Sequence, residues 1–348
     1  MIIDAHLDIA FNVVSFGRDY TLPVAETQRR EGTRREDIAT VGLPDALAGG
    51  VGLIFGTLFV APYDARFCTP LVYHNQEQAY QQAHQQLAVY RALATRPDIM
   101  LVETQHDLAA LLEQRAGGAN MQGIVILMEG ADPIRAPAEV AEWQTAGVRI
   151  VGPAWVATAY AGGTGMPGPL TPAGCALMGE MRRAGVALDV SHMAEQSFWD
   201  ALDLFDGPVI ASHSNCRTLV PDFRPDRHLS DAMLHALIAR DGVVGVVLYN
   251  KFLVDDWTLA QGKDAVGIDA AVRHIDHICQ LAGNTRHAAI GSDFDGGFGA
   301  EAIPRELGSI ADLARIGDAL SAAGYGEADV AAIMGNNWLH VLDTILPH

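Results

Sequence analysis

Ile3-Asp4-Ala5-His6-Leu7-Asp8 opens the chain with an apolar run that ends on two metal-ligand side chains. Side chains alternate along an extended segment, so His6 and Asp8, at i and i+2, project from one face and can reach one ion. The construction returns in Leu127-Met128-Glu129-Gly130, Asp189-Val190-Ser191-His192, Ala211-Ser212-His213-Ser214 and Ile290-Gly291-Ser292-Asp293. Strands that repeatedly end in a chemically active residue fit an α/β (β/α)8 TIM-type barrel, where catalytic groups sit at the C-terminal ends of several strands.

Working outward, β-branched apolar runs recur at Ile2–His6, Val51–Val60, Ile124–Glu129, Val148–Trp155, Val186–Ser191, Val209–His213, Val243–Tyr249 and Ala288–Asp293. Continuous runs of this kind suit strands buried on both faces of a parallel sheet. Ile99–Glu103 reads as an added strand in the insertion after strand two. Helical stretches lie between the runs. Asn75–Ala94 is long and rich in Gln and Ala, Thr171-Pro172 is an N-cap and N1 pair, Ser230 caps a helix to Arg240, and Ile268–Leu281 stops at Gly283. The tail, Ile310–Leu320 and Ala328–Ile345, is also helical. Gly17–Asp37 and the Gly/Pro-rich Ala159–Pro169 are expected to be loops over the top face. No composition break divides the chain, so a single barrel domain over residues 1–348 is expected.

The chain has 348 residues, 49% of them hydrophobic, with 23 Lys+Arg against 42 Asp+Glu and a net charge of −19. A surface that negative repels phosphate backbones and anionic lipid, which argues against nucleic acid or a membrane as partner. Cys68, Cys175, Cys216 and Cys279 are scattered and form no Cys-x-x-Cys pair, which points to a reducing, cytoplasmic setting. The N-terminus starts directly with a strand and shows no signal-peptide pattern, and no apolar run is long enough to span a membrane.

Each candidate ligand has a plainer reading. A lone His-x-Asp is most often a solvated pair, a strand-end Glu caps a helix, and a lone His is a buried or surface histidine. Position weighs against those readings here. His6 and Asp8 end the first strand, His192 and His213 end consecutive strands, and Glu129 has two oxygens with which to bridge the two groups. Asp293 ends the eighth strand, where a carboxylate beside cations can accept a proton from water. Asp295 is its competitor, with stabilisation of the Gly296-Gly297 turn as its expected task.

With these residues placed, the chain resembles the renal (membrane) dipeptidase family of zinc peptidases, peptidase family M19, within the amidohydrolase superfamily. The resemblance rests on Asp4-Ala5-His6-Leu7-Asp8, Met128-Glu129-Gly130, Asp189-Val190-Ser191-His192, Ser212-His213-Ser214-Asn215 and Gly291-Ser292-Asp293-Phe294-Asp295-Gly296, in that order. It implies two Zn2+ per chain, one on His6 and Asp8, the other on His192 and His213, with Glu129 bridging. It also implies hydrolysis of small dipeptides by a metal-activated hydroxide, tolerance of a C-terminal D-residue, a proton-shuttling Asp293, and homodimers. An arginine should grip the substrate carboxylate. Arg227 matches the family wording and Arg224 matches by counting. Arg227 is preferred, because the helix cap at Ser230 fixes it. Tyr249 either lines the pocket or fills space.

Two positions depart from the family. Trp155 stands where the family has a histidine that orients the scissile carbonyl, and indole offers a single N–H donor and no acceptor. Glu129 is followed by Gly130-Ala131-Asp132 instead of Gly-Gly-His. Two alternatives to the dipeptidase therefore remain in view. One is an amidohydrolase acting on another small amide such as an N-acyl amino acid. The other is a catalytically silent barrel that binds metal and ligand.

Overall fold

The computed structural model describes residues 1–33, 35, 37–64, 69–222 and 226–348. Its strands among the described residues are β1 (Ile2–Leu7), β2 (Val51–Phe59), β3 (Ile99–Leu101), β4 (Gln122–Glu129), β5 (Val148–Gly152), β6 (Ala161–Gly163), β7 (Met166–Leu170), β8 (Ala187–Asp189), β9 (Val209–Ile210), β10 (Val244–Val246) and β11 (Ala288–Ile290). Parallel pairing runs β1-β2-β4-β5-β8-β9, then through an Ala211–Val244 bridge to β10 and β11. Back at β1, the Ser292 backbone N–H donates to Asp4 Oδ1 at 2.8 Å, beside β11. Strands and helices alternate around a curled parallel sheet, as expected of the TIM-type barrel.

The eight expected barrel runs all contain a barrel strand. Their residues are buried on both faces. In β2, Leu53 and Phe55 belong to the cluster inside the barrel with Ile3, Ala5, Val125 and Leu127, while Ile54 and Leu58 face the layer between strands and helices. That is why these strands read as unbroken apolar runs. β3 is the added strand and pairs with β4, from Ile99 beside Gln122 to Leu101 beside Ile124.

Helix ends follow their signals. The Asn75 side chain accepts from the Gln78 N–H ahead of the helix Gln76–Leu93, Thr171 accepts from Gly174 N–H ahead of Pro172–Ala184, and Ser230 accepts from Met233 N–H ahead of Asp231–Ala239. Gly185 and Gly283 end their helices in the left-handed region, at φ 67° each, where a glycine has no Cβ to clash.

Both expected loops carry regular structure. Gly17–Asp37 contains the helix Val24–Glu31, held by Arg18, whose Nε donates to Glu31 Oε1 at 2.8 Å. Its polar composition hid it. Ala159–Pro169 contains the antiparallel hairpin β6–β7, in which glycines allow close approach. A Cβ on Gly162 would come within 2.3 Å of the Gly168 nitrogen. The tail includes a π-helical turn, Ala332–Asn336, before the helix Asn337–Ile345. Trp338, fully buried, closes the bottom of the barrel, with its ring 5.2 Å from Phe55 and its indole N–H donating to Ile290 O at 2.9 Å. The three described cysteines are free thiols; Cys68 lies outside the described residues. Among the described residues no helix is long and apolar enough to cross a membrane.

Candidate metal centre

The C-terminal strand ends converge on one buried cluster. His6, in β1, turns its Nε2 to within 3.4 Å of Glu129 Oε2 and 3.9 Å of both Asp8 Oδ1 and Asp293 Oδ1. Glu129, the last residue of β4, presents its other oxygen, Oε1, 3.2 Å from His192 Nε2 and 3.2 Å from His213 Nε2. Those two nitrogens stand 3.0 Å apart, and the His6 and His213 rings stack at 3.6 Å. Two ligand groupings share His6: His6, Glu129 and His213, and His6, Asp8 and Asp293. All six side chains are brought together, including residues nearly 290 positions apart in the chain.

The residues fit a metal. His6 Nε2 is buried with no hydrogen-bond partner, and three imidazole nitrogens face one carboxylate. A buried donor set this dense is costly unless a cation or protons compensate its charge. Electrostatics show the strain. Burial disfavours a charged His6, but Glu129, Asp8 and Asp293 outweigh it and hold its proton up to about 10. Burial and the Arg227 charge push His192 down to about 4, and burial with the His6 charge pushes His213 well below the usual imidazole range. Neutral imidazole is the ligating form. Burial raises Asp8 to about 6 and Asp293 well above the carboxylate range; it opposes ionised Glu129 too, but the three histidines outweigh it and keep Glu129 ionised.

Backbone strain marks the same place. His192 and Asp293 both sit at positive φ, 65° and 59°, in a region that residues other than glycine seldom visit. The turn after each strand rotates these side chains back over the barrel mouth.

A second layer fixes the rings, and sequence reasoning did not single it out. Ser212 donates its hydroxyl hydrogen to Asp189 Oδ2, so its oxygen accepts the Nδ1–H of His213, 2.8 Å away. Asp189 Oδ1 in turn accepts from Ser191 N–H and Ser212 N–H, both at 2.9 Å. Thr164, in the turn of the β6–β7 hairpin, lies 3.0 Å from His192 Nδ1, and Thr57 in β2 donates to Asp8 Oδ1. Such partners set imidazole tautomer and ring direction.

The remaining expected residues sort as follows. Asp295 does not serve its own turn. It accepts from the Thr40 N–H at 2.7 Å and hydroxyl at 2.6 Å and lies 3.0 Å from Arg18 Nη1, tying residues 18 and 40 to the barrel mouth. Asp132, in place of the family histidine, accepts from the Tyr73 hydroxyl and from Ala159 N–H at 2.8 Å, pinning the loop that carries Trp155. Trp155 lies three residues beyond the end of β5, so this fourth barrel strand is shorter than expected. Arg227 is buried, donates to His213 O at 3.0 Å, and packs 5.0 Å from the Phe252 ring centre. Arg224 lies outside the described residues. Tyr249 stacks on Phe298 at 4.4 Å. Arg227, Trp155, Tyr249, Asp8, Glu129, His192 and Asp293 all line one cavity of about 640 Å³ over the cluster, so Tyr249 is a wall of the pocket.

Fold and cluster together define a class, metal-dependent hydrolases built on a (β/α)8-type barrel. The chain belongs to the membrane dipeptidase family (peptidase family M19), whose family model matches residues 1–346. Among solved structures it is similar to a dipeptidase of metallopeptidase family M19, with 25% identity, a TM-score of 0.80, and 100% of this chain and 99% of that one covered. It is equally similar to a metallopeptidase from Rhodobacter sphaeroides liganded with a phosphinate mimic of the dipeptide L-Ala-D-Ala, at 25% identity and a TM-score of 0.79, with 99% of each chain covered. Among curated proteins, an uncharacterised Klebsiella pneumoniae protein is 37% identical over 58% of this chain and 73% of its own length. The Aspergillus oryzae dipeptidase aclJ is 30% identical over 51% of this chain and 39% of its own length.

Proposed function

We propose that the protein is a two-zinc dipeptidase built as a single barrel domain over residues 1–348. The observation that carries this reading is the split of Glu129: one oxygen faces His6, the other faces His192 and His213. Two ions would be held there, one by His6 and Asp8 and the other by His192 and His213, with Glu129 placed to serve both. Three imidazoles with carboxylates are a donor set that zinc accepts. When bound, the metal pair supplies Lewis acidity and a water of lowered pKa.

The chain's own residues supply the rest. Arg227 binds the dipeptide's terminal carboxylate, its position held by His213 O and the Phe252 ring. That contact sets the scissile carbonyl over the cluster. As the water oxygen bonds to the carbonyl carbon, Asp293 Oδ1 accepts the water proton; it returns that proton to the leaving nitrogen as the C–N bond breaks. The phosphinate complex of the Rhodobacter sphaeroides relative supports a substrate of the L-Xaa-D-Xaa kind beside ordinary L,L-dipeptides.

The test is a hydrolysis screen on zinc-reconstituted protein with L-Xaa-L-Xaa and L-Xaa-D-Xaa dipeptides, N-acyl amino acids alongside, and Asp293→Asn as control. Dipeptide turnover that falls ~10²–10⁴-fold in Asp293→Asn is expected. Turnover of N-acyl amino acids alone would replace the dipeptidase with another amidohydrolase.

A further inference from the structure

Three aromatic rings stand together on one side of the cavity. The Phe11 and Phe59 ring centres are 5.0 Å apart at 66°, and those of Phe59 and Trp155 are 4.9 Å apart at 64°. Phe11 follows β1, Phe59 ends β2 and Trp155 follows β5, which are the first, second and fourth strands of the barrel. Arg227 is on the other side, held at the ends of the sixth and seventh strands by His213 and Phe252. The ligand cluster lies between, with the Trp155 ring 6.2 Å from that of His192. Phe11 and Phe59 are pressed into a small apolar cluster with Ala61, against which Phe16, Val72 and Trp155 pack, so the wall is preformed.

This layout orients a substrate. Two residues of extended chain span roughly 7 Å. With the terminal carboxylate at Arg227 and the carbonyl over Glu129, the N-terminal residue meets the aromatic rings. They offer π-faces and apolar edges, and Trp155 replaces a polar ring with a larger apolar one. The cavity, about 640 Å³, falls within the ~300–1,000 Å³ of pockets that take drug-sized ligands. A dipeptide of two small residues leaves much of it unfilled.

We infer that Phe11, Phe59 and Trp155 form the binding wall for the side chain of the substrate's N-terminal residue, and that they select dipeptides with an aromatic or bulky aliphatic residue there. The inference rests on the dipeptidase reading and adds the substrate class. Trp155 and Phe59 are its specificity-determining residues.

The experiment compares Phe-Ala, Leu-Ala and Gly-Ala in two ways: kcat/KM on the zinc-loaded wild type, and calorimetric binding to zinc-loaded Asp293→Asn. Burying one large apolar side chain supports a preference of ~10–100-fold for Phe-Ala over Gly-Ala in both. Trp155→Ala is expected to shrink that ratio to about 3-fold or less, chiefly by weakening Phe-Ala, with Phe59→Leu in between. Equal turnover and binding of Phe-Ala and Gly-Ala by the unmutated wall would overturn the inference, as would a ratio unchanged in both wall variants. If no dipeptide is hydrolysed but Asp293→Asn still prefers Phe-Ala, the hydrolysis reading fails and the wall stands. If dipeptides neither turn over nor bind, both fail.

Discussion

Ser212→Ala is expected to loosen metal without opening the barrel. The Ser212 oxygen accepts the Nδ1–H of His213 at 2.8 Å and lies 3.4 Å from His6 Nδ1, so one hydroxyl steers two of the ligand rings. Alanine keeps the strand end intact, because the Ser212 backbone N–H still donates to Asp189 Oδ1 at 2.9 Å. What is lost is the acceptor for a buried N–H, a penalty of about 1–3 kcal/mol, together with the hydroxyl's donation to Asp189 Oδ2. The His213 ring can recover part of that by rotating, and rotation takes Nε2 away from Glu129. Outer-layer losses of this type lower metal affinity ~10–100-fold, equivalent to about 1.4–2.7 kcal/mol. Ser191→Ala is the matched comparison. Its hydroxyl accepts the His213 backbone N–H at 3.1 Å and touches neither ring, so a change of about 3-fold or less is expected. The assay is competition for zinc against a chelating dye, with melting of the metal-free proteins recorded in parallel. If Ser212→Ala melts lower but binds zinc as tightly as wild type, the steering argument is wrong.

Further outcomes follow from the same structure. Arg227→Met should raise KM for dipeptides ~10-fold or more, consistent with loss of a charge-assisted contact, while substrates lacking a free carboxylate are spared; an equal loss on both would place Arg227 elsewhere in the reaction. Zinc uptake must displace the proton that His6 otherwise holds up to about 10, so affinity should rise with pH across the neutral range and protons should be released on binding; calorimetry in buffers of different ionisation enthalpy reads this directly, and a pH-independent affinity would contradict it. Chelation should lower the melting temperature by about 4 °C per site relative to protein at a hundredfold excess of metal over Kd, given about 2.7 kcal/mol of linkage and an unfolding entropy of about 0.7 kcal/mol/K for 348 residues. Trp338→Ala removes the plug beneath the barrel and the partner of Ile290 O, at a cost of about 4–6 kcal/mol, or about 5–8 °C in calorimetry; a shift under about 2 °C would mean that the barrel bottom repacks.

Where the sequence failed, it failed for identifiable reasons. Val24–Glu31 is a polar helix with few apolar residues, and β6–β7 is a hairpin whose Gly-Gly and Pro-Gly content signals a turn. Ser212 stood inside a quoted motif and Thr164 inside the supposed loop, yet serine and threonine are too common to single out without knowing what faces them. Asp295 looked like a turn residue because its partners, Arg18 and Thr40, are more than 250 positions away.

The sequence by itself determined the barrel and marked the candidate ligand side chains at its mouth. Strands buried on both faces must be apolar along their length, so a His, Asp or Glu at the end of such a run stands out and is confined to the barrel mouth. Only the tertiary structure decided how those side chains meet: which oxygen of Glu129 faces which histidine, which hydroxyl steers each ring, and that Phe11, Phe59 and Trp155 close into one wall. Those relations are set by the order and stagger of neighbouring strands and by loops that cross between them. They are distances between residues far apart in the chain, and no local pattern encodes them.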